Sequence, residues 1–171
     1  MAKNTFLIRA RITCSHSSAT FKQEEIDLGS YTNLGSSKPE VLRIHNALWY
    51  IQDASGKMPS MNANSAGIIG WQLLTSSATA MVLADEDEFL MGGTAGVRNP
   101  DGSANPPSNA FSDAILPQDF SAGQVVAVPS LFFGGQVGAE FNSDVELTLI
   151  LECSTEAMSK ANAVALAISQ Q

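Results

Sequence analysis

The chain has 171 residues, enough for one domain that buries roughly 70% of its unfolded surface without needing disulfides or metals. Nine Lys and Arg against 17 Asp and Glu leave a formal charge of −8, which argues against a surface that grips phosphate backbones or anionic lipid, so no direct nucleic-acid binding is expected. Charged residues are only 15% of the chain, against about 25% in an ordinary soluble domain, and a neutral surface rich in Ser, Ala, Asn and Gly suits close packing against copies of itself.

From the amino terminus, Phe6, Ile8, Ala10, Ile12 and Cys14 alternate with Leu7, Arg9, Arg11 and Thr13, which predicts a first strand with one apolar face. Arg9 and Arg11 also interrupt what would have to be the apolar stretch of a secretory signal, so synthesis in a cytoplasm without a leader is expected. Ala19 to Leu28 reads as a polar edge strand, and Gly29 with Asn33 to Ser37 as a loop. The longest strand candidate runs from Val41 to Gln52. Simple alternation there puts Leu42, Ile44, Leu48 and Tyr50 toward the core and Val41, Arg43, His45, Trp49 and Ile51 on the other side.

After a Gly/Pro/Asn-rich loop from Asp53 to Gly67, Ile68 to Thr75 predicts a strand with Ile69, Trp71 and Leu73 on one face. Thr79 to Ala84 is expected to follow as a hairpin partner, ahead of the acidic run Asp85 to Glu88. From Gly92 to about Pro117 the periodicity disappears among Gly, Asn, Pro and Ser, which predicts a long loop ordered by neighbours. Gln124 to Phe133 resumes as a strand that Pro129 confines to an edge or a bulge. The last strand is the clearest, with Val145, Leu147, Leu149, Leu151 and Cys153 on one side of a period-two ribbon.

About eight short strands with turn-rich connections and one terminal helix describe an all-β fold, most naturally a single jelly-roll β-sandwich of residues 1–153 followed by a helical tail, 154–171. Missing crossover helices exclude a parallel α/β sheet. Cys14 and Cys153 lie on apolar faces at the ends of the first and last strands, either disulfide-bonded or as two buried free thiols.

Signals for chemistry are weak. His16 and His45 are the only histidines and stand in no metal-ligand spacing, and no nucleophile elbow accompanies Ser17 or Cys14, so no catalytic residue, metal or cofactor is expected. Asp85 to Glu88 lacks the spaced acidic pattern and glycine of a calcium loop and reads as a solvated turn that guards a strand edge.

Surface contacts are better marked. Arg43, His45, Trp49 and Ile51 share one face of the long strand, and aromatics beside arginine are typical of interface cores or sugar platforms, the other reading being a face covered by the chain's own loops. Phe132 and Phe133 are adjacent on a strand and cannot both face one core. In the tail, Ser154 or Thr155 is the expected N-cap, and Met158, Ala161, Val164, Ala165 and Ile168 form a narrow apolar stripe. A helix this short must dock, on its own sandwich or on the next subunit.

The opening strand Thr5 to Cys14, the block Ile26-Asp27-Leu28-Gly29-Ser30-Tyr31 leading to Val41 through Asn46, and the closing strand with its small-residue helix together resemble the single, upright jelly-roll capsid proteins of icosahedral DNA viruses. The resemblance is one of style and strand order over the full length. It implies a shell subunit of a virion that self-assembles by lateral contacts, with other capsid proteins as partners, an internal membrane beneath and no catalysis. The alternative is a ligand-binding β-sandwich, a carbohydrate-binding or receptor-attachment module, using Trp49, Tyr50 and nearby polar groups.

Overall fold

The computed structural model describes residues 4–33 and 35–170, without the side chains of residues 109 and 110. Among these residues nine strands, a 3-10 turn at Pro117–Asp119 and one α-helix follow in order, the strands and α-helix being β1 (Phe6–Cys14), β2 (Lys22–Asp27), β3 (Glu40–Gln52), β4 (Ser65–Leu74), β5 (Phe89–Asn99), β6 (Asn109–Ile115), β7 (Gln124–Val126), β8 (Ser130–Val137), β9 (Val145–Ala157) and α1 (Lys160–Ser169). They form two sheets, ordered β1-β9-β3-β7 and β2-β8-β4-β5-β6, in which every pairing is antiparallel.

The pairs nest: β1 with β9, β2 with β8, β3 with β7, and β4 with β5. A hairpin of four successive strand pairs rolled so that its strands alternate between two sheets gives this order, the jelly roll. β6 is an addition at the edge of the second sheet, beside β5. The predicted fold class is therefore the observed one.

Apolar side chains spaced two apart supply the core from both sheets. Ile8, Ile12 and Cys14 of β1 and Val145, Leu147, Leu149, Leu151 and Cys153 of β9 are buried, as their alternation requires. Ile69, Trp71 and Leu73 of β4 and Phe133 of β8 close the core from the opposite sheet. Trp71 is its centre, with its ring 5.6 Å from that of Trp49 and 6.3 Å from that of Phe133. Gly93, the cross-strand neighbour of Trp71, makes room for the indole, since a Cβ there would lie 2.8 Å from Trp71 Nε1.

Several local expectations are corrected. The register of β3 against β9 shifts between Ile44 and Asn46, so His45 is an extra residue, a β-bulge that reverses alternation beyond it. Ala47 is consequently buried, Trp49 and Ile51 pack on the core, and Leu48 and Tyr50 face outward, 54% and 53% exposed. Thr79 to Ala84 forms no strand; residues 75–88 make an excursion from β4 to β5. Conversely, the stretch from Gly92 to Pro117 is largely ordered by the chain itself, as most of β5 and all of β6. Its glycines hid the periodicity because they sit where large side chains need space, Gly93 beside Trp71 and Gly96 beneath Phe111 on neighbouring strands and Gly92 beside Phe89 on its own. Pro129 lies between β7 and β8, dividing the predicted single strand into two that belong to different sheets.

The cysteines are free and buried. Phe6, not Cys14, opposes Cys153 in the β1–β9 register. Eight residues of extended strand therefore separate the two positions, about 27 Å, far beyond disulfide reach. Burial pushes their thiols up to about 11 for Cys14 and about 12 for Cys153.

Candidate interface surfaces

The outer face of the first sheet is a grid set by register. Across β1, β9 and β3 its rows read Leu7–Glu152–Asn46, Arg9–Ile150–Leu48, Arg11–Thr148–Tyr50 and Thr13–Glu146–Gln52. Leu7, Leu48 and Tyr50 are about half exposed around the half-buried Ile150. A cleft of about 440 Å³ between Phe6, Leu7, Leu48 and Ile150 indents the patch. Charged groups frame it: Glu146 accepts from Thr13 Oγ1 at 3.0 Å and lies 3.5 Å from Arg11 Nε, while Glu152 accepts from Asn46 Nδ2. An apolar centre inside a polar rim is the anatomy of a protein contact surface.

Before the bulge the same face turns polar. Arg43 donates through Nε and Nη2 to the two carboxylate oxygens of Glu156, at 2.8 and 2.7 Å, and through Nη1 to the Ala122 carbonyl. This fork is partly buried, and the hydrogen bonds to Glu156 raise the guanidinium pKa further. His45 Nε2 meets Ser154 Oγ at 2.8 Å. Both residues line an open cleft of about 520 Å³ together with Gln118 and Phe120.

Glutamines protect the exposed backbone of this sheet. Because β7 pairs β3 only over Leu42 to Ile44, the later edge of β3 would lie open. The amide of Gln118 closes it, accepting from Ala47 N and donating to Ala47 O, both at 3.0 Å. Gln170 does the same beyond β7, accepting from Ala127 N at 3.0 Å and donating to Val125 O at 2.8 Å. A side-chain amide carries one donor and one acceptor, as a neighbouring strand would.

Gln170 also explains how α1 sits. Ser159, rather than Ser154 or Thr155, is the N-cap, because β9 continues to Ala157. Ser159 Oγ accepts from Asn162 N at 3.3 Å. The helix lies on the outer face of the first sheet through Ala163, with Leu166, Ala167 and Met158 around Val41, Ala127 and Val125. The expected stripe therefore divides: Met158 is partly covered, whereas Ala161, Val164, Ala165 and Ile168 point to solvent, with Val164 48% and Ile168 69% exposed.

The outer face of the second sheet is half covered. Gln72, fully buried, donates to Ala80 O at 3.2 Å and accepts from Val82 N at 2.8 Å, pinning the 75–88 excursion over Gly70 and Gln72. Beyond the excursion the next row, Ile68–Gly96–Phe111, is bare. Phe111 is 72% and Ile68 68% exposed, and the Phe111 ring leans over Gly96, where any side chain would collide with it. These residues border an open groove of about 540 Å³.

Of the residues singled out by sequence, Phe133 is thus interior, Trp49 and Ile51 are partly buried and pack on the core, and Phe132 is partly buried at the surface. Arg43 and His45 share one cleft, and four residues of the tail stripe form one exposed helix face. Missed were Leu7, Leu48, Ile68 and Phe111, while Tyr50, named only for the sugar-binding alternative, stands exposed. Ile68 was readable from its parity opposite Ile69, whereas the outward turn of Leu48 and Tyr50 depends on the bulge. Elsewhere, His16 is held by Asp144, which accepts from His16 N at 3.0 Å and meets Nδ1 at 2.7 Å. Among the described residues no group of three or more His, Cys, Asp or Glu could hold a metal ion, and no helix is long and apolar enough to cross a membrane.

No protein-family model and no curated protein matches the chain. Solved structures align with it at low identity. The apo New Jersey polyomavirus VP1 aligns at 7% identity over 91% of this chain and 100% of its own, with a TM-score of 0.48. The Merkel cell polyomavirus virus-like particle aligns at 7% over 92% and 76%, with a TM-score of 0.43. Desmodium yellow mottle tymovirus aligns at 12% over 92% and 91%, with a TM-score of 0.34.

Proposed function

We propose that this protein is a structural shell subunit of a virion, assembling through lateral contacts with copies of itself. The observation that carries the reading is the distribution of exposed apolar side chains. Leu7, Leu48 and Tyr50 stand on one outer face, Ile68 and Phe111 on the opposite one, and Val164 and Ile168 on the terminal helix. A sandwich that stays alone in water covers such patches, and a subunit surrounded by neighbours leaves them for contact. Jelly rolls serve both shells and sugar-binding domains, so the surfaces have to decide. The sugar-platform reading used Trp49 and Tyr50, and the bulge at His45 turns Trp49 inward onto Trp71, leaving Tyr50 as the one outward-facing aromatic of the two.

The reading extends to the finer expectations: icosahedral DNA viruses as the source, other capsid proteins as partners, an internal membrane beneath the shell and synthesis in the host cytoplasm. It includes no catalytic step and no cofactor. The charge of −8 leaves contact with the genome to a separate, basic layer. Analytical ultracentrifugation of the purified protein tests it. Species that grow in discrete steps with concentration support a shell subunit, and a single monomeric boundary throughout, with or without added glycans, contradicts it.

A further inference from the structure

The geometry points to a defined head-to-tail contact: the exposed face of α1 in one copy lies in the Ile68–Gly96–Phe111 groove of the next. This rests on the shell-subunit reading and specifies which surfaces meet.

Three observations carry it. The first is placement. α1 covers the outer face of the first sheet through Val41 and Ala127, whereas the groove is on the outer face of the second sheet, with the core between them. A chain cannot fold its own helix into its own groove. Each copy therefore offers one partner surface on either side of the sandwich, and the contact repeats from copy to copy, closing into a ring or continuing as an array.

The second is shape. Val164 and Ile168, one turn apart, project from the helix beside the small Ala161 and Ala165, which let a backbone approach closely. The groove of about 540 Å³ presents Ile68 and the Phe111 ring, which lies over Gly96 in the space its missing side chain leaves.

The third is charge. Arg98 and Asp113 flank the row on the same face, because Asp113 opposes Thr94, four residues before Arg98 on β5. That spacing is about 13 Å along the strand, and ten helical residues span about 15 Å. Lys160 begins the helix on the same stripe as Val164 and Ile168, and the carbonyl end of the helix carries the negative end of its dipole. Set along β5, the helix places Lys160 beside Asp113 and its carbonyl end beside Arg98, and the reverse orientation opposes like charges at both ends. One ten-residue helix face in one groove is a small contact, so it operates where it is repeated.

Cysteine cross-linking tests this directly, because the native thiols of Cys14 and Cys153 are inaccessible. Ile168→Cys and Phe111→Cys change exposed positions, and circular dichroism checks that both variants fold. Under mild oxidation at assembling concentration, an equimolar mixture of the two single variants is expected to give a disulfide-linked dimer. Each variant alone stays mostly uncoupled, and the double variant forms a ladder. Lys160→Asp raises the concentration for half-assembly roughly two- to five-fold per contact, and Asp113→Lys in the same chain restores it. Dimers formed as readily by Ile168→Cys alone would show helix packing on helix and overturn the proposal. Particles seen by light scattering without any cross-link would overturn the docking and leave the shell reading intact. A protein monomeric at every concentration would overturn both.

Discussion

Replacing Trp49 by alanine separates two adjacent residues that simple alternation would exchange. The bulge at His45 turns Trp49 toward Trp71, at a ring distance of 5.6 Å, and leaves Tyr50 half exposed. A fully buried aromatic-to-alanine change costs about 3–5 kcal/mol, and an aromatic pair contributes about 0.5–1.5 kcal/mol of that kind of loss. Trp49 is only partly buried, so about 2–4 kcal/mol is expected for Trp49→Ala. In a domain of this size that lowers Tm by about 4–16 °C, taking about 2–4 °C per kcal/mol. Tyr50→Ala, on the solvent side, is expected to lower Tm by no more than about 2 °C while raising the concentration needed for assembly. Differential scanning calorimetry and light scattering on the same samples measure both. A Trp49→Ala protein with unchanged Tm and impaired assembly, next to a Tyr50→Ala protein with the converse, would refute the bulge and restore uninterrupted alternation along β3.

Further outcomes follow from particular contacts. Gln170→Ala leaves Ala127 N–H and Val125 C=O without their amide partner, a loss of about 1–3 kcal/mol readable in urea denaturation, and truncation after Met158 costs more by uncovering Val41 and Ala127. Gly123 has φ +63°, and a Cβ there would stand 2.3 Å from the Ile44 carbonyl oxygen, so Gly123→Ala is expected to destabilise by about 1–3 kcal/mol. The thiols of Cys14 and Cys153 are raised from 9.0 to about 11 and about 12. The native state thus holds its protons more tightly than the unfolded chain, and this contribution is complete below pH 9 and lost as pH rises toward 11 and 12. A Cys14→Ala, Cys153→Ala protein should show a shallower alkaline fall in Tm, and a fall of equal steepness would count against the assignment.

The strands whose alternation is uninterrupted were legible in sequence. β1 and β9 bury every predicted apolar position at least partly, because one face of each meets the core and the other meets solvent. β3 was legible only up to Ile44: an inserted bulge residue leaves no mark on composition, and His45-Asn46 is simply a polar pair inside an apolar run. β5 escaped because its glycines are complements of Trp71 and Phe111, residues distant in sequence whose size determines where a side chain must be missing. For the helix, the periodicity revealed an amphipathic element but not which face docks. Ala163 rather than Ala161 is buried because Gln170 anchors the last turn at the edge of β7. Exposed apolar residues are the least readable of all, since an isoleucine looks the same in sequence whether it covers a core or awaits a neighbour.

The most direct measurement is the mass of the native protein in solution over a wide concentration range, by multi-angle light scattering, with negative-stain imaging of the same samples. A shell subunit with contact surfaces on both faces of its sandwich gives discrete oligomers or regular particles whose population rises steeply with concentration. A monomer of constant mass up to millimolar concentration would contradict the account.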